Sequence, residues 1–476
     1  MTDALVLAID IGTSAVRSAA VDGGGVIVAS TRVTRPDASA GTRFDAERLW
    51  LDVVQSVVSL PASARARIST LAIAGHVGTV FVDADGAPVG EGRGWADSSG
   101  IELLTAAAGD SLAELLAAAG RTTPAGGAGS ALLALRRSDP AAAASVARVL
   151  TPKDFVIWRF TRAAVTDRTS AAYSGLSAIA DSTWSPRMLE LVGLDPAQLP
   201  EQFAADEIVG ELASEVADEL GLNRGVAVAA GATDGSVGAA LVLRDRQGVV
   251  ADVAGTTDVL VRLVASPGDA PTGAVINPYP LGGFSAGGPT GATGAAFARW
   301  AVLLGFADVA DATSFLAARL EAIGPGADGL LIDPSLSGAR FPHWRPERTG
   351  MVIGQREDHG REHVLLAAAE GAAHIVRDAV DALDPSGAAT LVLAGGVARS
   401  PELARLRADV LGRPIEVCQQ PDVSLLGAAL IALRGAGADV SAFGAHERRE
   451  TVHPDPARAE QYAALHATWR SSLGFD

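Results

Sequence analysis

The chain has 476 residues, 48% of them hydrophobic and 20% charged, with a formal net charge of −17. That length exceeds one ordinary core and fits two large domains. The acidic balance and the lack of any basic run argue against a nucleic-acid or anionic-membrane partner, because neutralising phosphates takes clustered Lys and Arg.

In chain order, Met1 to Gly12 carries a short apolar run between Asp3 and Asp10, without the basic start of an export signal, so a cytoplasmic protein is expected. Ala4 to Ile9 reads as a buried strand that leads straight into Asp10-Ile11-Gly12-Thr13-Ser14. Ala15 to Val21 and Val26 to Ser30 follow as hairpin partner and third strand. Gly94-Trp95-Ala96-Asp97 sets an aromatic face two residues from a carboxylate. That pair suits a polyhydroxylated ligand, but a core Trp beside a turn Asp is the default reading.

Val226 to Ala230 reads as a strand ending at Gly231-Ala232-Thr233-Asp234, with a helix from Ser236 to Leu243. Asp234 at this junction is open to two readings, a helix N-cap or a general base. A domain boundary is expected near residues 243 to 248, giving domains 1–245 and 246–476. Beyond it, Val249 to Ala254 leads into Gly255-Thr256-Thr257 and a further strand from Val259 to Val264, repeating the N-terminal pattern half a chain later. Thr390 to Ala394 reads as a strand, Gly395-Gly396 as a turn, and Pro401 to Leu411 as a helix capped by Ser400 and stopped by Gly412. Cys418 is the single cysteine, which excludes an intrachain disulfide and a thiolate zinc cluster. No uncharged apolar span reaches the roughly 18 residues a membrane helix needs.

Backbone N–H groups of a Gly-rich turn converge on a phosphate, and adjacent hydroxyls add donors. Gly12-Thr13-Ser14 and Gly255-Thr256-Thr257 are therefore candidate phosphate clamps, although each alone is also an ordinary turn. Asp10, at the end of a buried strand, is placed to hold Mg2+ through its waters. Gly395-Gly396 would let a flat adenosine approach the backbone closely.

In this order the segments resemble the FGGY family of carbohydrate kinases, nearest its xylulokinase-like branch. The resemblance rests on Ala8 to Ser14 with Arg17, Val80 to Gly86 with Trp95 and Asp97, Thr151 to Phe155 with Val165 to Asp167, Gly231 to Gly238, Gly255 to Thr257, Leu336 to Pro342 and Gly395 to Gly412. It implies an α/β protein of two ribonuclease H-like (actin-like ATPase) domains with an interdomain cleft for ATP, Mg2+ and a small sugar. It also implies Asp234 as catalytic base. Gly75, His76, Val77, Trp95, Asp97 and Asp234 are then expected at the sugar. Asp10, Gly12, Thr13, Ser14, Arg17, Gly255, Thr256, Gly294, Gly395, Gly396 and Ser400 are expected at ATP and its phosphates, and a homodimer is the family-level expectation.

Two departures bear on the acceptor. Gly75-His76-Val77-Gly78 stands where xylulokinases usually read Gln-Met-His-Gly, and no arginine follows the Trp95-Ala96-Asp97 element. Gly235 after Asp234 is also seen in gluconate-kinase-like members. D-xylulose is thus the favoured acceptor, with ribulose, another polyol or a sugar acid such as gluconate as alternatives. A nucleotide-dependent sugar sensor and a chaperone-type ATPase are the readings from other classes.

Overall fold

Leu5–Ile11, buried at all seven positions, organises the first sheet of the computed structural model, which describes residues 4–35, 41–255, 257–291, 293–336, 338–420, 422–445 and 448–475. Leu5–Ile11 pairs antiparallel with Ala15–Val21 and parallel with Ile68–Gly75. The full order is Ile208–Glu211, Ala227–Ala229, Ile68–Gly75, Leu5–Ile11, Ala15–Val21 and Ile27–Thr34, with Ala232–Thr233 also paired to Ile68–Gly75. The apolar run from Leu5 to Ile9 is unbroken, not alternating, because both faces of the strand are covered.

One face receives the helix Ala46–Val58, which turns Leu49, Trp50, Val53 and Val57 inward at helical spacing and is capped by Asp45 accepting from the Arg48 N–H. On the strands also pack Asp234–Leu243 and Val423–Gly435, two helices that are apolar nearly all round and therefore buried. They meet closely at Gly427, where a Cβ would lie 2.1 Å from the Val237 carbonyl oxygen. This is one compact unit, made of the described residues of Met1–Arg244, Ile276–Phe284 and Asp422–His446.

The second unit comprises the described residues of Asp245–Val275, Ser285–Pro421 and Glu447–Asp476. Within it the sheet order is Phe284–Pro289, Asp258–Val264, Val249–Ala254, Thr390–Gly395, Ile415–Cys418 and Arg449–Val452. Val249–Ala254 is antiparallel to Asp258–Val264 and parallel to Thr390–Gly395, which is parallel to Ile415–Cys418, itself antiparallel to Arg449–Val452. The first sheet has the same sequence of directions, from Ala15–Val21 through Leu5–Ile11, Ile68–Gly75 and Ala227–Ala229 to Ile208–Glu211. The repeated Gly-Thr turns read in the sequence thus sit in a repeated topology.

Arg361–Leu383, Pro401–Leu411 and Pro456–Leu473 build the helical layer of the second unit around Leu365, Leu366, Ala369, Leu406, Val410 and Tyr462. Ser400 caps Pro401–Leu411 by accepting from the Leu403 N–H at 3.2 Å, Pro401 opens it, and Gly412 ends it with φ of 65°. Cys418 is buried. Among the described residues no helix is long and apolar enough to cross a membrane.

Candidate active site

In the first unit, pairing brings three chain segments to one end of the sheet. Asp10 stands opposite Ala74, Ile11 opposite Gly75, and Thr233 also opposite Gly75. Carboxyl ends of adjacent parallel strands are where open α/β sheets bind ligands. Asp10 is 3% exposed. Arg17, its register partner on the next strand, donates through Nε to Asp10 Oδ2 at 3.0 Å and through a terminal nitrogen to Asp422. Asp10 Oδ1 is buried without a hydrogen-bond partner. Burial pushes the Asp10 carboxyl upward, opposed by the Arg17 charge. The Gly12 N–H donates to the Ala15 carbonyl at 2.9 Å and closes the turn, with Thr13 half-buried and Ser14 exposed at its tip.

Asp234 is the first residue of its helix, and Thr233 occupies the cap position. Of the two readings open for Asp234, the cap reading therefore gives way, and the helix starts two residues ahead of the expected Ser236. The strand pairing ends at Thr233, so the helix begins one residue later, and Thr233 Oγ1 turns to Ser236 Oγ at 2.8 Å. One Asp234 oxygen accepts from the Gly235 N–H at 2.7 Å. Partly open at its surface yet crowded by protein, the Asp234 carboxyl is pushed up to about 6, chiefly by desolvation and secondly by the negative charge of Asp10.

Beside this end lies a pocket lined by Gly75, His76, Val77, Thr151, Tyr173 and Thr233, among others. The His76 N–H donates to the Ile11 carbonyl at 2.9 Å, its ring meets the Phe44 ring edge-on at 5.2 Å, and burial pushes its pKa down to about 4. Beneath Gly75, Lys153 is fully buried and pairs with Asp154 and with Asp167 at 3.0 Å. Asp154 also accepts from Thr151 and Thr166, and Asp167 caps the Arg168–Tyr173 helix, so this ionic cluster fixes both pocket walls.

Gly78 pairs with Gly94, which carries Trp95 to the pocket end of that small sheet. Trp95 is half-buried and Asp97 buried, both outside the pocket lining. Asp97 accepts from Ser99 N–H at 3.2 Å and Ser99 Oγ at 3.0 Å, with Arg93 at 3.6 Å and Arg43 at 3.8 Å. It is the turn-forming Asp of the default reading.

In the second unit, the Gly255 N–H donates to the Thr257 carbonyl at 3.0 Å, closing a turn like that at Gly12. Ala254 stands opposite Gly395, which has φ of 89°, and a Cβ there would lie 2.3 Å from the Ala254 oxygen. Only glycine fits this close strand crossing. Gly396 donates to the same oxygen at 2.6 Å. Thr257 Oγ1 accepts from the Gly291 N–H at 3.0 Å, just ahead of the Thr293–Leu303 helix that holds Gly294 in its first turn. Thr256 and Ser337 lie outside the described residues.

Asp422, Ser170 and Tyr173 escaped the sequence reading, and Thr151 entered it only as part of a resembling segment, without a role at the pocket. Asp422 precedes a helical run and reads as a cap, yet its side chain makes no cap bond and serves Arg17, which is distant in sequence. The donor set suits a magnesium ion held mainly by phosphates: a buried carboxylate with one unpartnered oxygen, and no cluster of three ligating side chains among the described residues.

Two α/β units of one topology, each with a glycine turn at the end of its first hairpin, define a protein of the ribonuclease H-like, actin-like ATPase class. Models of the FGGY family of carbohydrate kinases match both parts, the N-terminal domain over residues 5–240 and the C-terminal domain over 250–436. The chain belongs to this family and is an ATP-dependent carbohydrate kinase. It is 30% identical over 437 residues to xylulose kinase of Streptomyces coelicolor, covering 89% of this chain and 86% of that one. It is 27% identical to glycerol kinase of Gloeobacter violaceus, covering 98% and 96%. Gluconate kinase from Lactobacillus acidophilus shares the fold with a TM-score of 0.86 at 22% identity, over 98% of each chain.

Proposed function

We propose that the acceptor is a ketopentose, with D-xylulose favoured over ribulose, other polyols and gluconate, and that Asp234 is the general base. The observation that carries this is the Asp234 carboxylate, next in chain to Thr233 of the pocket wall and at the same sheet end as Asp10. Its raised proton affinity suits a group that must take a hydroxyl proton near neutral pH. The relatives named xylulose kinase support the choice of sugar.

In this reading the Asp234 carboxylate accepts the proton of the attacking hydroxyl as the new bond to phosphorus forms. Gly12, Thr13 and Ser14 supply N–H and hydroxyl donors to phosphate oxygens, as do Gly255, Thr256 and Gly294. Gly395, Gly396 and Ser400 serve the adenosine end. Asp10 holds Mg2+ through water, and Arg17 fixes Asp10. Magnesium, when bound, neutralises charge on the phosphate oxygens. Gly75, His76 and Val77 contact the sugar, as do Trp95 and Asp97, which follow the Gly94 that pairs with Gly78.

We further propose a division of the two family domains at 245/246, a cytoplasmic location where ATP is supplied, and a homodimer, checked by sedimentation. The test is coupled ADP release with ATP and Mg2+ over ketopentoses, polyols, hexoses and sugar acids, for the native chain and Asp234→Ala. Strong stimulation by a ketopentose that disappears in the variant is expected. Sugar-independent ATP hydrolysis of equal rate would overturn the reading.

A further inference from the structure

The hairpin that carries the Gly255 turn has two carboxylates on one face. Val249–Ala254 pairs with Asp258–Val264 so that Ala254 stands opposite Asp258 and Asp252 opposite Leu260. Residues two apart on a strand, and residues directly opposite across a pair, share a face, so Asp252 and Asp258 are diagonal neighbours, one on each stem of the turn. Both are buried, at 7% and 1% exposure. Alone, two such carboxylates would repel each other.

One guanidinium answers both. Arg407, 4% exposed, donates through one terminal nitrogen to Asp252 and through the other to Asp258 at 3.0 Å. Val376, Val380, Leu391 and Leu393 line a cavity with Asp252 and Arg407, so these pairs form in an apolar surround where charge attraction is strong. Burial first, and the Asp258 charge second, push the Asp252 carboxyl upward, and a proton held there relieves the surplus negative charge. A planar fork fixes the separation of its two acceptors, which a point charge does not.

The three residues join the candidate ATP segments of this unit. Arg407 belongs to the Pro401–Leu411 helix, which follows the Gly395-Gly396 turn. Asp252 stands opposite Leu393 on the strand that ends in that turn. Asp258 follows Thr257, and its N–H donates to Thr293 Oγ1 at 3.0 Å, at the start of the helix that holds Gly294, while its carbonyl accepts from the Thr290 N–H at 2.9 Å. Buried, and with both terminal nitrogens committed, Arg407 acts through these neighbours.

We infer that Arg407 is a positioning residue for ATP: its fork locks both stems of the turn closed by Gly255 and Thr257 to the helix that follows the adenosine turn, and so holds the phosphate donors in register. This rests on the proposed function, which makes that turn a phosphate clamp.

The test uses the full chain with ATP and Mg2+, by calorimetric binding and by coupled ADP release with D-xylulose. Arg407→Met alone would strand two buried carboxylates and destabilise the fold. The deciding protein is therefore the triple variant Asp252→Leu, Asp258→Leu, Arg407→Met, which replaces the whole ion cluster by apolar side chains. Such exchanges often keep or raise stability, so its melting temperature should match or exceed the native one. ATP binding should nevertheless weaken about tenfold and the KM for ATP rise by the same factor, with the KM for D-xylulose within about twofold of native. Arg407→Lys keeps the charge but lacks the fork, so it should weaken ATP binding less, by about threefold. Native ATP affinity in either folded variant, or an equal rise in both KM values, overturns the positioning role. Failure of the kinase reading looks different: no sugar raises ADP release from the native chain, while calorimetry still reports weaker ATP binding in the variants.

Discussion

Arg17 donates to one oxygen of Asp10 at 3.0 Å and leaves the other, Oδ1, buried without a partner. The hairpin register sets this relationship by placing the two residues opposite each other. One oxygen is fixed and the other stays available, as a ligand for a magnesium-bound water requires.

Arg17→Ala should therefore lower stability by about 2 kcal/mol, less than for a fully buried pair because Arg17 keeps contact with water. It should also raise the KM for ATP with Mg2+. Arg17→Lys should recover only part of this, since an ammonium lacks the fork that reaches both Asp10 and Asp422. Urea unfolding of the three proteins checks the order, and equal midpoints would show the pair to be unimportant.

Asp234→Ala should reduce turnover by about 10²-fold or more while ATP affinity stays nearly unchanged. The base works only when ionised, and its carboxyl is pushed up to about 6. Turnover of the native enzyme should therefore fall as pH drops through about 6. A profile that stays flat down to the ordinary carboxylate range would remove Asp234 from that role.

Gly395→Ala would put a Cβ 2.3 Å from the Ala254 oxygen at a φ of 89°. Strain of this kind costs on the order of 1–3 kcal/mol. The expected result is a lower melting temperature together with a raised KM for ATP and an unchanged KM for sugar. A rise in both KM values would point to a wider collapse of the unit.

Glu370, buried in the Arg361–Leu383 helix, accepts from the Gly326 N–H at 2.8 Å and Tyr462 OH at 2.7 Å, and burial pushes its pKa up to about 7. The folded chain then keeps a proton that the unfolded chain releases near the ordinary glutamate value. Its contribution is complete below that value and is lost as pH rises to about 7. Glu370→Gln should flatten the fall of melting temperature over this window. An unchanged slope would place the pH dependence elsewhere, on the Asp252, Asp258 and Arg407 cluster.

Local order determined much of the site. Ala4 to Ile9 announces a buried strand because its apolar run is continuous, and Ser400, Pro401 and Gly412 mark one helix end to end because caps act within a turn. The third strand was read short, at Val26 to Ser30, because Ile27–Thr34 alternates in burial and carries polar residues on its open face. Local order left Asp234 open between cap and base, because the strand pairing of Thr233 with Gly75, a long-range event, decides where its helix starts.

By itself the sequence determined the family, the two repeated glycine turns and the aspartate at the strand-to-helix junction, since each is written in contiguous residues. Only the tertiary structure decided that Asp422 pairs with Arg17, that Lys153 lies beneath Gly75 between two carboxylates, and that His76 and Ser170 share one pocket. Those arrangements join segments far apart in the chain, and the physics that makes them matter, burial and the need to satisfy buried polar atoms, exists only once the segments are packed.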